Sequence, residues 1–291
     1  LGLEKRVLPK DNPLTENRVA LGRKLFFDPI LSGDNTVACA TCHQPDHGFA
    51  SAEAKPRGIR GQQLKRRAPT LFNRAYGTVF FWDGRAATLE EQALRPIDEP
   101  AEMGSTVAAA VDRLKKRKDY QEQFAAAFGD GVTAANLAKA LAGFERVLLR
   151  GDSPVDRFRR KGEHDALTPP QRHGLWLYES KALCWRCHAG PNFTDESFHN
   201  TGVSWAKEPL DLGRHAITKK DADKGKFKTA TLRGVTLTAP YMHDGSLRTL
   251  EDVVRFYSRG GNPNPHLDPI LTPLNLSDEE VRSLVEFLKS L

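Results

Sequence analysis

The sequence predicts a mostly α chain in two lobes joined by long loops. Three observations carry this. Apolar residues recur at helical spacing, as in Leu250, Val253, Val254 and Tyr257 at i, i+3, i+4 and i+7, whereas strand-like alternation is scarce. A polar, charged stretch at 151–166 separates two such helical regions. The pattern Cys-x-x-Cys-His occurs once in each region, as Cys39-Ala40-Thr41-Cys42-His43 and as Cys184-Trp185-Arg186-Cys187-His188.

In chain order, Thr15 to Phe27 reads as a first helix with Leu14, Val19, Leu21 and Leu25 on its apolar side, ended by Asp28-Pro29. The first Cys-x-x-Cys-His follows a loop containing Ser32-Gly33-Asp34-Asn35. Residues 44–70 are rich in Gly, Pro and Arg and read as a long loop, a length that usually wraps something. Phe80 to Arg85 leads into a helix from Thr88. Residues 106–128 and 133–150 read as two more helices, the latter with Leu137, Leu141, Phe144 and Leu148 at helical spacing. Thr168-Pro169-Pro170-Gln171 is a helix start with early proline and a capping box, and that helix runs to the second motif. A long loop, 190–229, follows. The helix of Tyr257 stops at Gly260-Gly261, and Ser277 to Glu280 caps a last helix that turns Val281, Leu284, Val285 and Leu288 inward. The expected division is 1–160 and 161–291.

At 39% hydrophobic and 27% charged residues the chain has the composition of a globular protein, and no apolar run reaches the ~18 residues of a membrane span. Net charge is +6, with basic clusters at Arg57–Arg67, Arg113–Lys118, Arg157–Lys161 and Lys219–Lys228. These are solvated faces or a docking surface for an acidic redox partner. No nucleic-acid recognition motif accompanies the charge.

Cys-x-x-Cys-His is the attachment signature of c-type haem. Two thiols add to the vinyl groups of one haem, and the histidine becomes the proximal iron ligand. The two motifs use all four cysteines of the chain. The competing reading, a zinc site of two Cys-x-x-Cys pairs, leaves both histidines without a role beside four thiolates. Haem is normally attached in this way outside the cytoplasm, so a periplasmic protein is expected. The absence of a basic-then-apolar leader or a methionine at Leu1 fits a chain whose signal has been removed.

Both motifs, together with Ala68-Pro69-Thr70-Leu71-Phe72-Asn73, Phe81-Trp82-Asp83-Gly84-Arg85, Pro96 to Gly104, and Leu237 to Gly245 with its Pro240-Tyr241-Met242-His243-Asp244-Gly245, resemble the bacterial di-haem cytochrome c peroxidase family, including its MauG-like branch of the MauG and MbnH type. The resemblance implies two cytochrome c-like domains, each with one covalent haem c. The N-terminal haem would react with hydrogen peroxide, and the C-terminal haem would transfer electrons. In ordinary family peroxidases the second haem has a distal methionine, at the place Tyr257 takes here. In the MauG-like branch the ligand is a tyrosine. Tyr257 is therefore the candidate ligand, with Met242, His243 and His266 as alternatives and ordinary core packing as the bland one. A phenolate favours higher iron oxidation states than a thioether does.

The resemblance also places Ile59 where many family peroxidases carry a loop histidine that blocks the first haem, which implies a first iron open at rest. It assigns Glu102 as acid–base residue and Gln92 as the group that orients peroxide. Trp82 matches a tryptophan that relays holes between the haems, and Asp83 and Arg85 hold its loop or a propionate. One calcium ion would be bound through positions matching Arg67, Thr238 and Pro240, although an arginine side chain offers calcium no oxygen. The implied function is oxidation of a tryptophan or tyrosine on a partner protein by long-range electron transfer, with peroxide as oxidant. The alternatives are a peroxidase fed by a small cytochrome or copper protein and a simple di-haem electron carrier. Trp176, Trp185 and Trp205 are candidate exit points for holes, and the sequence does not choose among them.

Overall fold

The computed structural model of the protein describes residues 2–3 and 7–291. Among the described residues it is helical, with one short antiparallel pair of strands, β1 (Phe198–His199) and β2 (Phe227–Lys228), set in the loop after the second motif. The chain divides into two compact units. The first holds residues 7–80 and Ala86–Leu149. The second holds Arg150–Leu291, Phe81–Arg85 and residues 2–3.

In the first unit, α1 (Glu16–Phe27) starts at Thr15, whose side chain accepts a bond from Arg18 N, and ends at Asp28. The short α2 (Cys39–Cys42) carries the first two cysteines. α3 (Leu89–Asp98), α4 (Val107–Lys115), α5 (Lys118–Phe128) and α6 (Ala134–Val147) complete it. The stretch 106–128 expected as one helix is two, because Arg117 takes an extended conformation within four consecutive cations, Lys115 to Lys118. The break lets each helix bury its own face: Ala110, Val111 and Leu114 from α4, Tyr120 and Phe124 from α5. α1 crosses α6 at Gly22, where a Cβ would stand 1.9 Å from the Ala140 carbonyl oxygen. The core gathers Leu21, Leu25, Phe26, Leu31, Leu137, Leu141 and Phe144 around that crossing.

The second unit repeats the plan. α7 (Pro154–Lys161) lies inside the polar 151–166 stretch, and α8 (Pro169–Glu179) has the expected capping box at Thr168 and Gln171. After α9 (His215–Thr218) come α10 (Leu250–Ser258) and α11 (Asp278–Leu288). α8 crosses α11 at Gly174, where a Cβ would stand 2.0 Å from the Ser283 carbonyl oxygen. Leu177, Tyr178, Val281, Leu284 and Phe287 fill the core beside it. Phe81–Arg85 joins this unit through its backbone. Arg214 donates to the carbonyls of Asp83 and Gly84, both at 2.8 Å, and Lys228 N donates to the Trp82 carbonyl at 2.8 Å.

A buried ion pair fastens α7 to the segment after the second motif. Arg233, 1% exposed, grips both carboxylate oxygens of Asp156 and donates to Ser153 Oγ at 3.0 Å and to the Pro191 carbonyl at 2.9 Å. Burial alone would raise the Asp156 pKa, but the bonds from Arg233 and Ser153 hold it below the usual carboxylate value.

Gly174→Val should lower the stability of the second unit by about 1–3 kcal/mol, because the added methyls push α8 off α11; thermal unfolding followed by helical circular dichroism reads this, and an unchanged midpoint would mean the crossing relaxes without cost. Asp156→Asn strands a buried guanidinium and should cost about 3–5 kcal/mol at neutral pH. Because the folded-state pKa of Asp156 is depressed, its contribution is present above the carboxylate range and is lost as pH falls through the depressed value. Denaturant melts of wild type and variant should therefore converge in acid, and a gap independent of pH would count against the pair.

Candidate haem sites

Each Cys-x-x-Cys-His forms one tight turn. In the first, His43 N donates to the Cys39 carbonyl at 2.9 Å, so the imidazole leaves the turn on the side of both thiols. His43 Nδ1 bonds the Phe49 carbonyl at 2.9 Å. In the second, His188 N donates to the Cys184 carbonyl at 2.9 Å, and Nδ1 bonds the Phe193 carbonyl at 3.0 Å. Since a carbonyl only accepts, Nδ1 carries the proton in both rings and Nε2 keeps its lone pair for a metal. Burial lowers both imidazole pKa values, which keeps the rings neutral and able to ligate. Both acceptor residues hold a left-handed backbone, with φ of 55° at Phe49 and 50° at Phe193. For a bulky L residue that costs about 1–2 kcal/mol, a strain that aims the carbonyl at the ring.

Burial pushes the thiols of Cys39 and Cys184 up to about 12 and that of Cys42 to about 11. These thiols are thus neutral and free to add to a vinyl group. Among the described residues the one grouping with metal-ligand spacing is Cys187, Asp195 and His199, and it contains a single cysteine. His199 is held between two carboxylates, Nε2 to Asp195 at 2.9 Å and Nδ1 to Asp268 at 2.6 Å; Asp195, then Cys187, then Asp268 push it up to about 11. Both ring nitrogens are thus engaged. No local sequence pattern announces His199, whose partners lie 4 and 69 residues away.

The first unit brings Glu102 to its motif. The Glu102 carboxylate acts on the thiols of Cys39 and Cys42, raising both after burial has done so. Its loop is tied down by backbone bonds, Ile59 N to the Glu102 carbonyl and Gly33 N to the Met103 carbonyl, both at 2.8 Å. Ile59, 4% exposed, packs into the core. Gln92 stands half-buried on α3, the helix anchored by Glu90, which takes Arg146 at 2.6 and 2.8 Å and Asn12 at 2.7 Å. Arg67 is buried and donates twice to the Ser51 carbonyl, at 3.1 and 2.6 Å.

In the second unit a cavity opens beside His188, lined by Tyr178, Trp185, Ala189, Gly190 and Phe193. The Tyr178 hydroxyl donates to the His188 carbonyl. Tyr257 lies within electrostatic reach of the same motif: burial raises its phenol pKa first, and the thiols of Cys187 and Cys184 raise it further. The alternatives are held otherwise. His243 bonds Ser204 Oγ through Nε2 at 2.9 Å and stacks on Phe227 at 3.6 Å. His266 leans on Trp205, and Met242 sits in the turn before His243. Trp82 sets its ring edge against His243, with centroids 6.4 Å apart. Asp83 and Arg85 pair with each other at 3.0 Å, with the guanidinium 3.5 Å from the Phe81 ring centroid. Trp176 and Trp185 are exposed at 58% and 46%.

An internal repeat links the two sites, and it is visible in the sequence once the structure shows where to look. Phe80 bridges Ala86, and Tyr241 bridges Leu247. Phe81 and Met242 share a positive φ, of 68° and 72°. Asp83-Gly84 answers Asp244-Gly245, and Thr88-Leu89-Glu90 answers Thr249-Leu250-Glu251, with both threonines capping their helices. Continuing the register along α3 and α10 sets Pro96 opposite Tyr257. Where the second unit presents a phenol, the first presents a side chain with no ligating atom.

Comparison with known proteins agrees with this geometry. The family described as di-haem cytochrome c peroxidase matches residues 16–165. The methylamine utilization protein MauG of Methylorubrum extorquens is 42% identical over 285 residues, 97% of this chain and 80% of that protein. The cytochrome c551 peroxidase of Pseudomonas aeruginosa is 36% identical, covering 97% of this chain and 80% of that one. Among solved structures, a MauG-like protein associated with microbial copper homeostasis superposes with a TM-score of 0.91 at 32% identity, over 99% of this chain and 93% of that one. Two cysteine–histidine turns with pre-set imidazoles, on a backbone shared with these proteins, place the chain in the di-haem cytochrome c peroxidase family, on its MauG-like side, as an oxidoreductase with two c-type haems.

Proposed function

We propose that the protein uses hydrogen peroxide to oxidise a tryptophan or tyrosine of a partner protein by long-range electron transfer. The observation that carries this reading is Tyr257, a buried phenol within electrostatic reach of the thiols of Cys187 and Cys184. Pro96 in the matching place of the first unit supports an open first iron, as does an Ile59 loop that is tied to Glu102 and has no histidine.

Haem bound at the two motifs supplies iron that exchanges single electrons and, in the first unit, a position for peroxide. Cys39 and Cys42 would hold the first haem and His43 its iron; Cys184 and Cys187 would hold the second, and His188 and Tyr257 its iron. Glu102 takes the proton of the nearer peroxide oxygen and returns it to the farther one, which leaves as water. Gln92 orients the peroxide by hydrogen bonding. The bare phenolate of Tyr257 is disfavoured by burial, and an iron cation reverses that balance. A hard anionic ligand would make that iron a poor acceptor from an ordinary cytochrome and a good store for an oxidising equivalent. Trp82 would carry holes in the same relay. The basic surface suits an acidic partner.

Two finer expectations belong to the same reading. The compartment is the periplasm, where haem is attached to such motifs; no helix among the described residues is long and apolar enough to cross a membrane. A calcium ion would take the carbonyls of Thr238 and Pro240 and water, since the Arg67 guanidinium is committed to Ser51.

Stoichiometric peroxide added to the resting diferric protein, with no reductant, should abolish the ferric electron-paramagnetic signals of both irons and leave a long-lived product. No reaction until the second haem is reduced, followed by turnover with a small cytochrome, would identify an ordinary peroxidase and remove Tyr257 as ligand. Glu102→Gln should slow the peroxide reaction by about 10²- to 10⁴-fold while leaving the resting optical spectrum unchanged; stopped-flow absorbance measures it, and a wild-type rate would strip Glu102 of its role.

A further inference from the structure

Glu145 stands apart from every other carboxylate of the first unit. It lies on α6, four residues after Leu141 and three before Leu148, on the helix side that faces the core. It is 6% exposed, and its Oε2 is buried without a hydrogen-bond partner among the described residues. A buried carboxylate in that state costs several kcal/mol, so such a group is normally neutral or faces something that repays the cost. Burial pushes Glu145 up to about 8.

The charged groups around it come from several elements. Arg146, its neighbour on α6, is bound bidentately to Glu90 of α3. Arg74, from the turn Arg74–Tyr76, donates to the Val79 carbonyl at 3.1 Å and lies over the Phe80 ring. Both cations lower the Glu145 pKa and Glu90 raises it, and burial outweighs them. α1 turns Leu21, Leu25 and Phe26 into this core and spends Lys24 on Asp119 and Arg18 on the Ala127 carbonyl. Arg113 of α4 is spent on the carbonyls of Ile30 and Leu31. From α2, Cys39 feels Glu145 more strongly than any other charged group, Glu102 included. The orphan carboxyl is therefore within electrostatic reach of the point where the first haem is attached. The mechanism above gives it nothing to do.

We propose that Glu145 is a proton-exchanging partner of the first haem, a buried carboxyl whose charge is linked to the oxidation state of the iron held by His43. The inference rests on the di-haem reading, not on the identity of the partner protein or of the second haem's ligand. The linkage is reciprocal: an electron added to the iron makes the carboxyl hold its proton more tightly, and a charged carboxylate makes the iron harder to reduce. In the step, one electron from an external reductant converts ferric to ferrous iron, and one proton from water converts the Glu145 carboxylate to the neutral acid. Glu145 is thus a positioning residue for charge, and it touches neither peroxide nor substrate.

The test is a spectroelectrochemical titration of the first haem in the purified di-haem protein, from about pH 6 to about pH 10, without peroxide or partner. In the wild type the potential should be level in acid and fall as pH rises through about 8, by up to tenfold in the reduction equilibrium per pH unit, which is 59 mV for one electron. Glu145→Gln should remove the slope, and Glu102→Gln should keep it. A reduced-minus-oxidised infrared spectrum above that pH should show a protonated carboxyl gained in the wild type and missing in Glu145→Gln. A wild-type potential independent of pH would overturn the proposal with no variant needed, as would a slope that survives in Glu145→Gln. An ordinary-peroxidase outcome in the peroxide experiment would leave the slope in place, so the two failures are distinguishable.

Discussion

The close crossing of one helix pair in each unit is the constraint on which the sites depend. α1 meets α6 at Gly22, and α8 meets α11 at Gly174, so tightly that a single methyl group would collide with a backbone oxygen. Each glycine-bearing helix is the last long element before a cysteine turn. The crossing therefore fixes where the turn begins, and the turn fixes where the histidine leaves it. The final orientation comes from a carbonyl in the following loop, which takes the imidazole Nδ1 proton. Phe49 and Phe193 hold that carbonyl in a strained backbone, and their rings are clamped by aromatic neighbours, Phe26 and Phe144 for one and Tyr178 for the other. Core packing thus stabilises a local conformation that Phe would otherwise avoid.

The two units are variations on one plan, and the variations carry the chemistry. Both have the crossing, the cysteine turn and a threonine-capped helix that follows an Asp-Gly hairpin in the chain, although both hairpins pack in the second unit. They part at the helix position held by Pro96 in one and Tyr257 in the other. They part again at the loop carrying Glu102, which is tied by backbone bonds to the Ile59 segment. A hard oxygen near one motif, and a carboxylate beside no ligating side chain near the other, suit two irons with different work.

Charge is distributed along the same lines. Buried ions with a framework role are fully paired, as in Arg233 with Asp156 and Arg146 with Glu90. His199 is clamped between two carboxylates beside the second motif. Glu145 is the exception among the buried carboxylates of the first unit: its Oε2 has no hydrogen-bond partner among the described residues. A carboxyl in that setting is costly when charged and is held toward its neutral form.

The sequence by itself determined the helices, the two covalent attachment points and their histidines, because helical period and Cys-x-x-Cys-His spacing are local properties that survive without tertiary contacts. It also singled out Tyr257 and Glu102, through motifs whose order runs along most of the chain. Contacts between distant residues were not legible in it. Phe81–Arg85 sits early in the chain yet belongs to the second unit, because Arg214 and Lys228 bind its backbone. The helix break at Arg117 and the helix within 151–166 follow from faces that had to be buried against partners far along the chain. Glu145 reads as an ordinary helix residue until packing seals it from water. Only tertiary structure decides which carboxylates are paired and which imidazole nitrogen is left for a metal, since each depends on a partner that no local pattern announces.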